Sequence, residues 1–306
     1  MKYTGPIYRP PYEAASLLVQ VTQGCSYNQC RFCTMYHDVP FMTETMEQIE
    51  HDLWEARQRY HEVRRIFLLN GDAFSLGFER LQAIGEKIIE IFPEVETIAA
   101  YASIPAIARK SDEELQALRA LRFNGMNVGV ESGSDEVLAL LGKGYTAAEA
   151  KAQLLRLNRF GYDYCVNIIV GAGGHGLSDV HSKASAELLN EVQPWMIFLA
   201  TLFIAPDSQL YKDVKAGTFI ENTVRDNLEE EYRLISGLAL QDTFLLGAHT
   251  SNVVPLQGRL PASQAQLLGM LREAIDGLPK EFLEDRPRRG AEGRYIDTDG
   301  GYMDVE

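Results

Sequence analysis

The chain has 306 residues, 46% apolar and 24% charged, with 29 Lys plus Arg against 43 Asp plus Glu and a net charge of −14. These are ordinary globular proportions, with length enough for one large α/β domain or two modest ones. A field of that sign repels phosphate backbones and anionic headgroups, which argues against nucleic acid and membrane surfaces as partners. The opening MKYTGPIYRPPYEAA lacks the apolar stretch of a signal peptide, and no run approaches the roughly eighteen apolar residues of a membrane span. The expectation is a cytoplasmic protein with reduced thiols, in which clustered cysteines mean metal or catalysis rather than a disulfide.

After an N-terminal extension (1–14), short apolar runs alternate with longer amphipathic ones. SLLVQVT (16–22) reads as the first strand, and a cysteine-rich loop (24–37) follows it. A capping box at Thr45 starts a helix to about Tyr60. RRIFLLN (64–70) is the second strand and GFERLQAIGEKIIEIF a helix. VETIAAYA (95–102) is the third strand, and Ser111 caps the helix after it. GMNVGVE (125–131) is the fourth strand, followed by the helical pieces SDEVLALL and TAAEAKAQLLRLNRFG. YDYCVNIIVG (162–171) is the fifth strand, SDVHSKASAELLNEV a helix, and WMIFLATLFI (195–204) the sixth strand.

Near-continuous apolar strands suit a parallel sheet buried on both faces. Right-handed crossovers wind such β–α units one way, which predicts an α/β fold built as a partial (β/α)6 TIM-like barrel over 15–210. A doubly wound sheet is the alternative. In a barrel the carboxyl ends of the strands carry the chemistry. The residues that stand out fall there: the cysteines, Asn70-Gly71-Asp72, Glu131-Ser132 and the glycine run 171–174. That run lacks the Lys-Ser/Thr of a P-loop and the spacing of a dinucleotide fingerprint. Residues 211–284 read as a C-terminal helical cap, with helices over 221–238 and 262–276 and a strand and loop between them. Residues 285–306 read as a tail.

GCSYNQCRFCTMYH places Cys25, Cys30 and Cys33 within nine residues. With His37 as fourth ligand they would close a tetrahedral structural zinc site. Without it they would hold three irons of a 4Fe–4S cluster and leave the fourth iron open. Position at the mouth of the barrel favours the open cluster. Cys165, inside the fifth strand, reads as a core thiol, so this sequence offers no second cysteine triad.

The loop resembles that of the radical S-adenosylmethionine (SAM) superfamily, in which three cysteines follow the first strand with an aromatic, here Phe32, before the last. The commonest spacing there is C-x3-C-x2-C; here the first gap holds one residue more. GVESGSDEVLALLGKGYT (129–146) is the most specific match, to the branch with oxygen-independent coproporphyrinogen oxidase, the methylthiotransferases and the elongator-type subunit. The resemblance implies a 4Fe–4S cluster on Cys25, Cys30 and Cys33, with SAM on the open iron. It implies that Gly71 and Asp72 meet the SAM amino group, that Glu131 and Ser132 lie by the methionyl part and that Lys143 pairs with the carboxylate. Asn167 and Gly171 would face the ribose and Ile204 the adenine. An acid found on the third strand of the porphyrinogen enzyme is absent near Ala102.

The activity so implied is reductive SAM cleavage to a 5′-deoxyadenosyl radical, which takes hydrogen from a small-molecule substrate. The electron would come from an external reductant of the flavodoxin or ferredoxin type. His249, in the polar loop AHTSN, and Tyr36, beside the cluster loop, are the candidate catalytic contacts to substrate; His175 and His181 read as surface. Two other readings are a haem-carrying chaperone on the same fold and a zinc-stabilised α/β protein without radical chemistry.

Overall fold

The structure, a computed structural model, describes residues 1–286. Of the expected tail, residues 287–306 lie outside the described residues. After a 3-10 turn at Pro11–Glu13 the elements run β1 Leu17–Gln20, β2 Thr22–Gln23, β3 Met42–Thr43, α1 Met46–Arg59, β4 Arg65–Leu69, a second 3-10 turn Ala73–Ser75, α2 Phe78–Ile91 and β5 Thr97–Ala102. They continue as α3 Ile104–Ala108, α4 Asp112–Ala120, β6 Met126–Glu131, α5 Asp135–Leu141, α6 Ala147–Arg159, β7 Tyr164–Val170, α7 Gly174–Val192 and β8 Met196–Thr201. The last are α8 Gln209–Ala216, α9 Val224–Ser236, β9 Thr243–Gly247, β10 Leu256–Leu260, α10 Gln264–Gly277 and α11 Lys280–Leu283.

Eight strands form one sheet in the order β1-β4-β5-β6-β7-β8-β9-β10. The pairs β1–β4, β4–β5, β5–β6 and β8–β9 are parallel, and β10 runs antiparallel to β9. Parallel neighbours that are also neighbours in sequence need a crossover between them, and here helices supply it. The class is therefore the expected α/β winding. The strand expected over 16–22 divides: β1 pairs with β4, and Thr22–Gln23 leaves to pair with Met42–Thr43. β10 was not expected. Its burial alternates, with Leu256 and Leu260 buried and Gln257 and Arg259 exposed, so LQGRL offers only two apolar anchors to a reader of the sequence. Helix α7 starts at Gly174 rather than Ser178 because the glycine run forms its first turn.

By their contacts the residues fall into two compact units. One comprises Met1–Gln29, Cys33–Gly129 and Ala152–Cys165; the other comprises Cys30–Phe32, Val130–Lys151 and the chain from Val166 onward. The first has a core in which Phe67, Leu69 and Ala99 are packed by Ile7, Leu18 and Tyr101, with the Phe67 and Tyr101 rings edge to face at 5.2 Å. In the second, Val137, Leu141 and Ala172 form one cluster and Leu202, Leu210 and Phe219 another, and Phe32 packs against both. Helix ends follow the sequence: Thr45, Ser103 and Ser111 accept from backbone N–H groups, and Ser111 with Glu114 closes a capping box. No helix among the described residues is long and apolar enough to cross a membrane.

Phe67 has no exposed surface. Phe67→Ala should cost about 3–5 kcal/mol, the usual loss for a truncated core aromatic, and thermal melting followed by circular dichroism would show it as a lowered midpoint.

Candidate functional site

In the first unit, β4 ends in a segment with few bonds to the sheet. The Asn70 N–H donates to Thr22 Oγ1 at 2.9 Å, and the Tyr36 hydroxyl reaches Asn70 Oδ1 at 3.4 Å. Asn70 Nδ2 is buried and has no hydrogen-bond partner among the described residues. Gly71 is required by its surroundings: a Cβ there would meet Tyr36 Cε2 at 2.6 Å, the Gly24 carbonyl at 3.0 Å and Cys25 Cβ at 3.1 Å. Buried Asp72 accepts from Ser26 Oγ at 2.6 Å and from Ser103 N and Oγ at 3.0 and 2.8 Å. Its carboxylate thus ties the residue after Cys25 to the cap of α3. Tyr36 is itself buried, edge-on to Tyr8 at 5.3 Å, and burial raises its phenol well above the usual range. The Tyr36 ring forms the wall under Gly71. His37 is exposed.

In the second unit, Cys30-Arg31-Phe32 is held by its backbone. Arg31 N donates to Leu141 O at 2.9 Å, Arg31 O accepts from Leu210 N at 2.8 Å, and the guanidinium pairs with Asp213. Glu131 closes β6 in the left-handed region at φ 72°, uncommon for a side chain with a Cβ. Lys143 lies between Gly142 and Gly144, both at positive φ (68° and 73°), and its Nζ donates to Glu131 Oε1 at 3.2 Å. The pair is nearly sealed, with 10% and 11% of the side chains exposed. Burial pushes the Glu131 carboxyl up and Lys143 pulls it back. Burial also acts against the Lys143 ammonium, but the Tyr145, Glu131 and Cys30 groups outweigh it and hold Lys143 charged. The Tyr145 hydroxyl donates to Val130 O at 3.2 Å.

Ser132 meets His181, whose Nδ1 lies 2.8 Å from Ser132 Oγ and whose Nε2 lies 2.9 Å from Ile169 O. The carbonyl can only accept, so Nε2 carries the proton and Nδ1 accepts from Ser132. His181 is 1% exposed, a correction to its reading as a surface residue; His175 is exposed as expected. Gly171 has φ 80°, and its N–H donates to Glu230 Oε1 at 2.6 Å. Asn167 is half-buried on β7, and Ile204 packs in the cluster with Leu202, Leu210 and Phe219. His249 Nδ1 is 2.8 Å from Ser251 Oγ, which accepts the Thr201 N–H, so the imidazole is moored to the end of β8. Cys165 is buried, as a core thiol should be.

A family model described as the Radical SAM superfamily matches residues 19–184. The chain belongs to the radical SAM superfamily. It is therefore an enzyme of the radical SAM class, whose cofactors are a 4Fe–4S cluster and SAM. A tRNA-2-methylthio-N(6)-dimethylallyladenosine synthase of Chlorobium phaeobacteroides is 26% identical over 302 residues, covering 96% of this chain and 60% of that protein. The same-named enzyme of Legionella pneumophila strain Corby is 26% identical over 207 residues, covering 60% of this chain and 42% of that protein. The chain thus spans 60% or less of the length of these curated relatives. Among solved structures, the radical SAM methyltransferase TsrM of Kitasatospora setae with tryptophan and a SAM analogue superposes with TM-score 0.54 at 14% identity, covering 66% of this chain and 39% of that one. Coproporphyrinogen III oxidase of Escherichia coli gives TM-score 0.52 at 15% identity, covering 72% and 51%. At those identities the two structures establish the shared fold.

The donor set fits the family's cofactors. Cys25, Cys30 and Cys33 form no disulfide, Gly71 is a cradle that a Cβ would fill, Asn70 offers an unused buried amide, and Glu131 with Lys143 supplies both signs of charge. Ser26, Ser103, Tyr145, His181 and Glu230 escaped the sequence reading. Nothing in the sequence pairs Asp72 with serines 46 residues before it and 31 after it.

Gly71→Ala should lower the iron bound per chain after anaerobic loading while leaving the far-ultraviolet spectrum native, because the added methyl displaces Tyr36 or Cys25. Iron and sulfide analysis beside circular dichroism would check it. A second expectation concerns Glu231, buried beside Glu230, which burial and that neighbour push up to about 8. An unfolded carboxyl loses its proton near its ordinary value of 4.5, whereas the folded one keeps it until about 8, so stability falls as pH rises between those values. Glu231→Gln should match the parent's melting point near about pH 5 and exceed it near about pH 9.

Proposed function

We propose that Cys25, Cys30 and Cys33 hold three irons of the 4Fe–4S cluster and that the open iron takes SAM through its methionyl end. Cluster and SAM, when bound, supply a one-electron carbon–sulfur cleavage whose product removes hydrogen from the substrate. The chain's own residues position and shield. Lys143 meets the SAM carboxylate by a charge-assisted hydrogen bond, and Glu131 and Ser132 line the methionyl part. Gly71 and Asp72 form the turn beside the amino group; Asp72 acts there through Ser26 and Ser103. Asn167 and the Gly171 turn face the ribose, and Phe32 and Ile204 supply apolar wall. His249 and Tyr36 are the candidates for substrate contact: His249 is held at Nδ1 by Ser251, while Tyr36 is packed as a wall.

The observation that carries this reading is the nearly sealed Glu131–Lys143 pair with Cys30 among the groups that hold Lys143 charged. A buried pair of that kind is costly, and such sites are concentrated where function needs them. The substrate is a small molecule rather than a tRNA. The net charge of −14 opposes a polyanion, although the relatives are named for tRNA modification. Residues 15–210 form the catalytic body and 211–284 its extension. An external flavodoxin- or ferredoxin-type donor in the cytoplasm supplies the electron.

Protein purified without oxygen should be brown, with about four irons and four sulfides per chain. On reduction it should form 5′-deoxyadenosine from SAM, and Cys30→Ala should form none. Lys143→Ala should weaken SAM binding by about tenfold or more, because it also strands the Glu131 carboxylate. Colourless protein holding one zinc per chain, or haem binding without 5′-deoxyadenosine, would sink the proposal.

A further inference from the structure

Glu230 is a buried carboxylate on α9 whose donors converge on it from the turn after β7 and from the start of α7. Gly171 N–H reaches Oε1 at 2.6 Å, Ser178 Oγ reaches Oε2 at 2.6 Å, and Asn222 Nδ2 reaches Oε2 at 3.2 Å. His181 Nε2 lies 3.5 Å from Oε1. Gly171 is further confined because a Cβ on it would strike Asn227 Oδ1 at 2.7 Å, and Asn227 is held by Asn222 Nδ2 at 3.1 Å. His181 in turn bonds Ser132 beside Glu131 and the Ile169 carbonyl two residues before Gly171. One buried chain of contacts therefore runs Ser132–His181–Glu230–Gly171.

The cost of this arrangement is visible in Glu231, which is 2% exposed, has no partner for Oε1 among the described residues and lies beside a second buried acid. An apolar α9 would pack without such a penalty. What the acid at position 230 supplies is a fixed acceptor for the Gly171 N–H, a group that the turn geometry leaves without a partner in the sheet.

We infer that Glu230 and His181 are positioning residues for SAM. They lock the Gly171 turn and the Glu131–Ser132 strand end in one arrangement, so that helix α9 of the C-terminal extension is a determinant of SAM affinity. This rests on the proposed reading of Glu131 and Gly171 as SAM contacts. Neither residue touches the reacting atoms.

The test is equilibrium binding of SAM to cluster-loaded, oxidised full-length protein, which reads affinity without turnover. Glu230→Gln keeps the shape but presents an N–H₂ toward donors already there. It should weaken SAM binding by about tenfold, the scale at which outer supporting groups act on a bound centre, with iron and sulfide content unchanged. Thr243→Val is the structural control, because it removes a buried hydrogen bond of the same unit, Thr243 Oγ1 to Pro194 O at 2.7 Å. A Glu230→Gln affinity indistinguishable from that of Thr243→Val overturns the inference. If Glu230→Gln fails to load its cluster, Ser178→Ala removes one donor to the same carboxylate and should give a smaller loss in the same direction; an unchanged affinity there overturns the inference equally. Failure of the parent protein itself to bind SAM would instead remove the proposed function on which this stands.

Discussion

A carboxylate cut off from water must find a cation or surrender its charge, and at the end of β6 Lys143 is the cation. The local backbone is arranged around that bond. Glu131 takes a left-handed φ of 72°, and the glycines on either side of Lys143 take positive φ where a side chain would be strained. Breaking such a pair from one side costs about 3–5 kcal/mol, since the survivor stays buried and alone. A ligand carboxylate that joins Lys143 while Glu131 stays in place avoids that loss, because neither charge of the pair is left alone. Under the proposed function this makes the pair a preformed receptor for the carboxylate end of SAM rather than a structural ornament.

The same economy governs the turn after β7. A strand that ends in a positive-φ glycine exposes an N–H that the ladder no longer uses. Water would satisfy it on a surface, but Gly171 is buried, so an acceptor has to come from elsewhere in the chain. Helix α9 brings it. Its buried stripe runs Val224, Asn227 and Leu228, Glu230 and Glu231, Leu234 and Ile235, at helical spacing with polar groups set among the apolar ones. The capping box of Thr223 and Asp226 fixes where that helix starts, and therefore which residues its stripe presents.

Much of this was legible in the sequence, for physical reasons that differ from element to element. Buried parallel strands such as RIFLL and YCVNIIV are apolar nearly throughout, and helix caps at Thr45 and Ser111 use local bonds, so both show in a window of a few residues. The three cysteines show because their ligand chemistry depends on spacing within one loop. What was hidden depends on partners far along the chain. His181 sits in a helix whose neighbours Asp179 and Lys183 are exposed, and only the Ser132 and Ile169 contacts reveal that it points inward. Glu230 and Glu231 fall in the helix read over 221–238, with neither singled out. The signal that was available is that Asn227 and Glu231 fall three or four residues from Val224, Leu228, Leu234 and Ile235, in the apolar stripe itself.

Asp72 carries the point furthest. Its place after β4 marks it as a ligand contact by resemblance, yet its bonds go to Ser26 and Ser103. The reason lies in the segment it occupies. From Asn70 to Leu76 the chain has left the sheet with only a single 3-10 turn, so its carbonyls need donors from side chains. Buried Lys110 supplies them, its Nζ donating to Phe74 O at 2.7 Å and Leu76 O at 3.0 Å, with burial pulling its ammonium down to about 8. Thr22 holds one end, Lys110 the other, and Asp72 the middle. A glutamate in place of Asp72 would carry its carboxylate one methylene past the two serines. The shorter acid keeps that carboxylate inside the protein, and it secures the loop of the first cysteine from within.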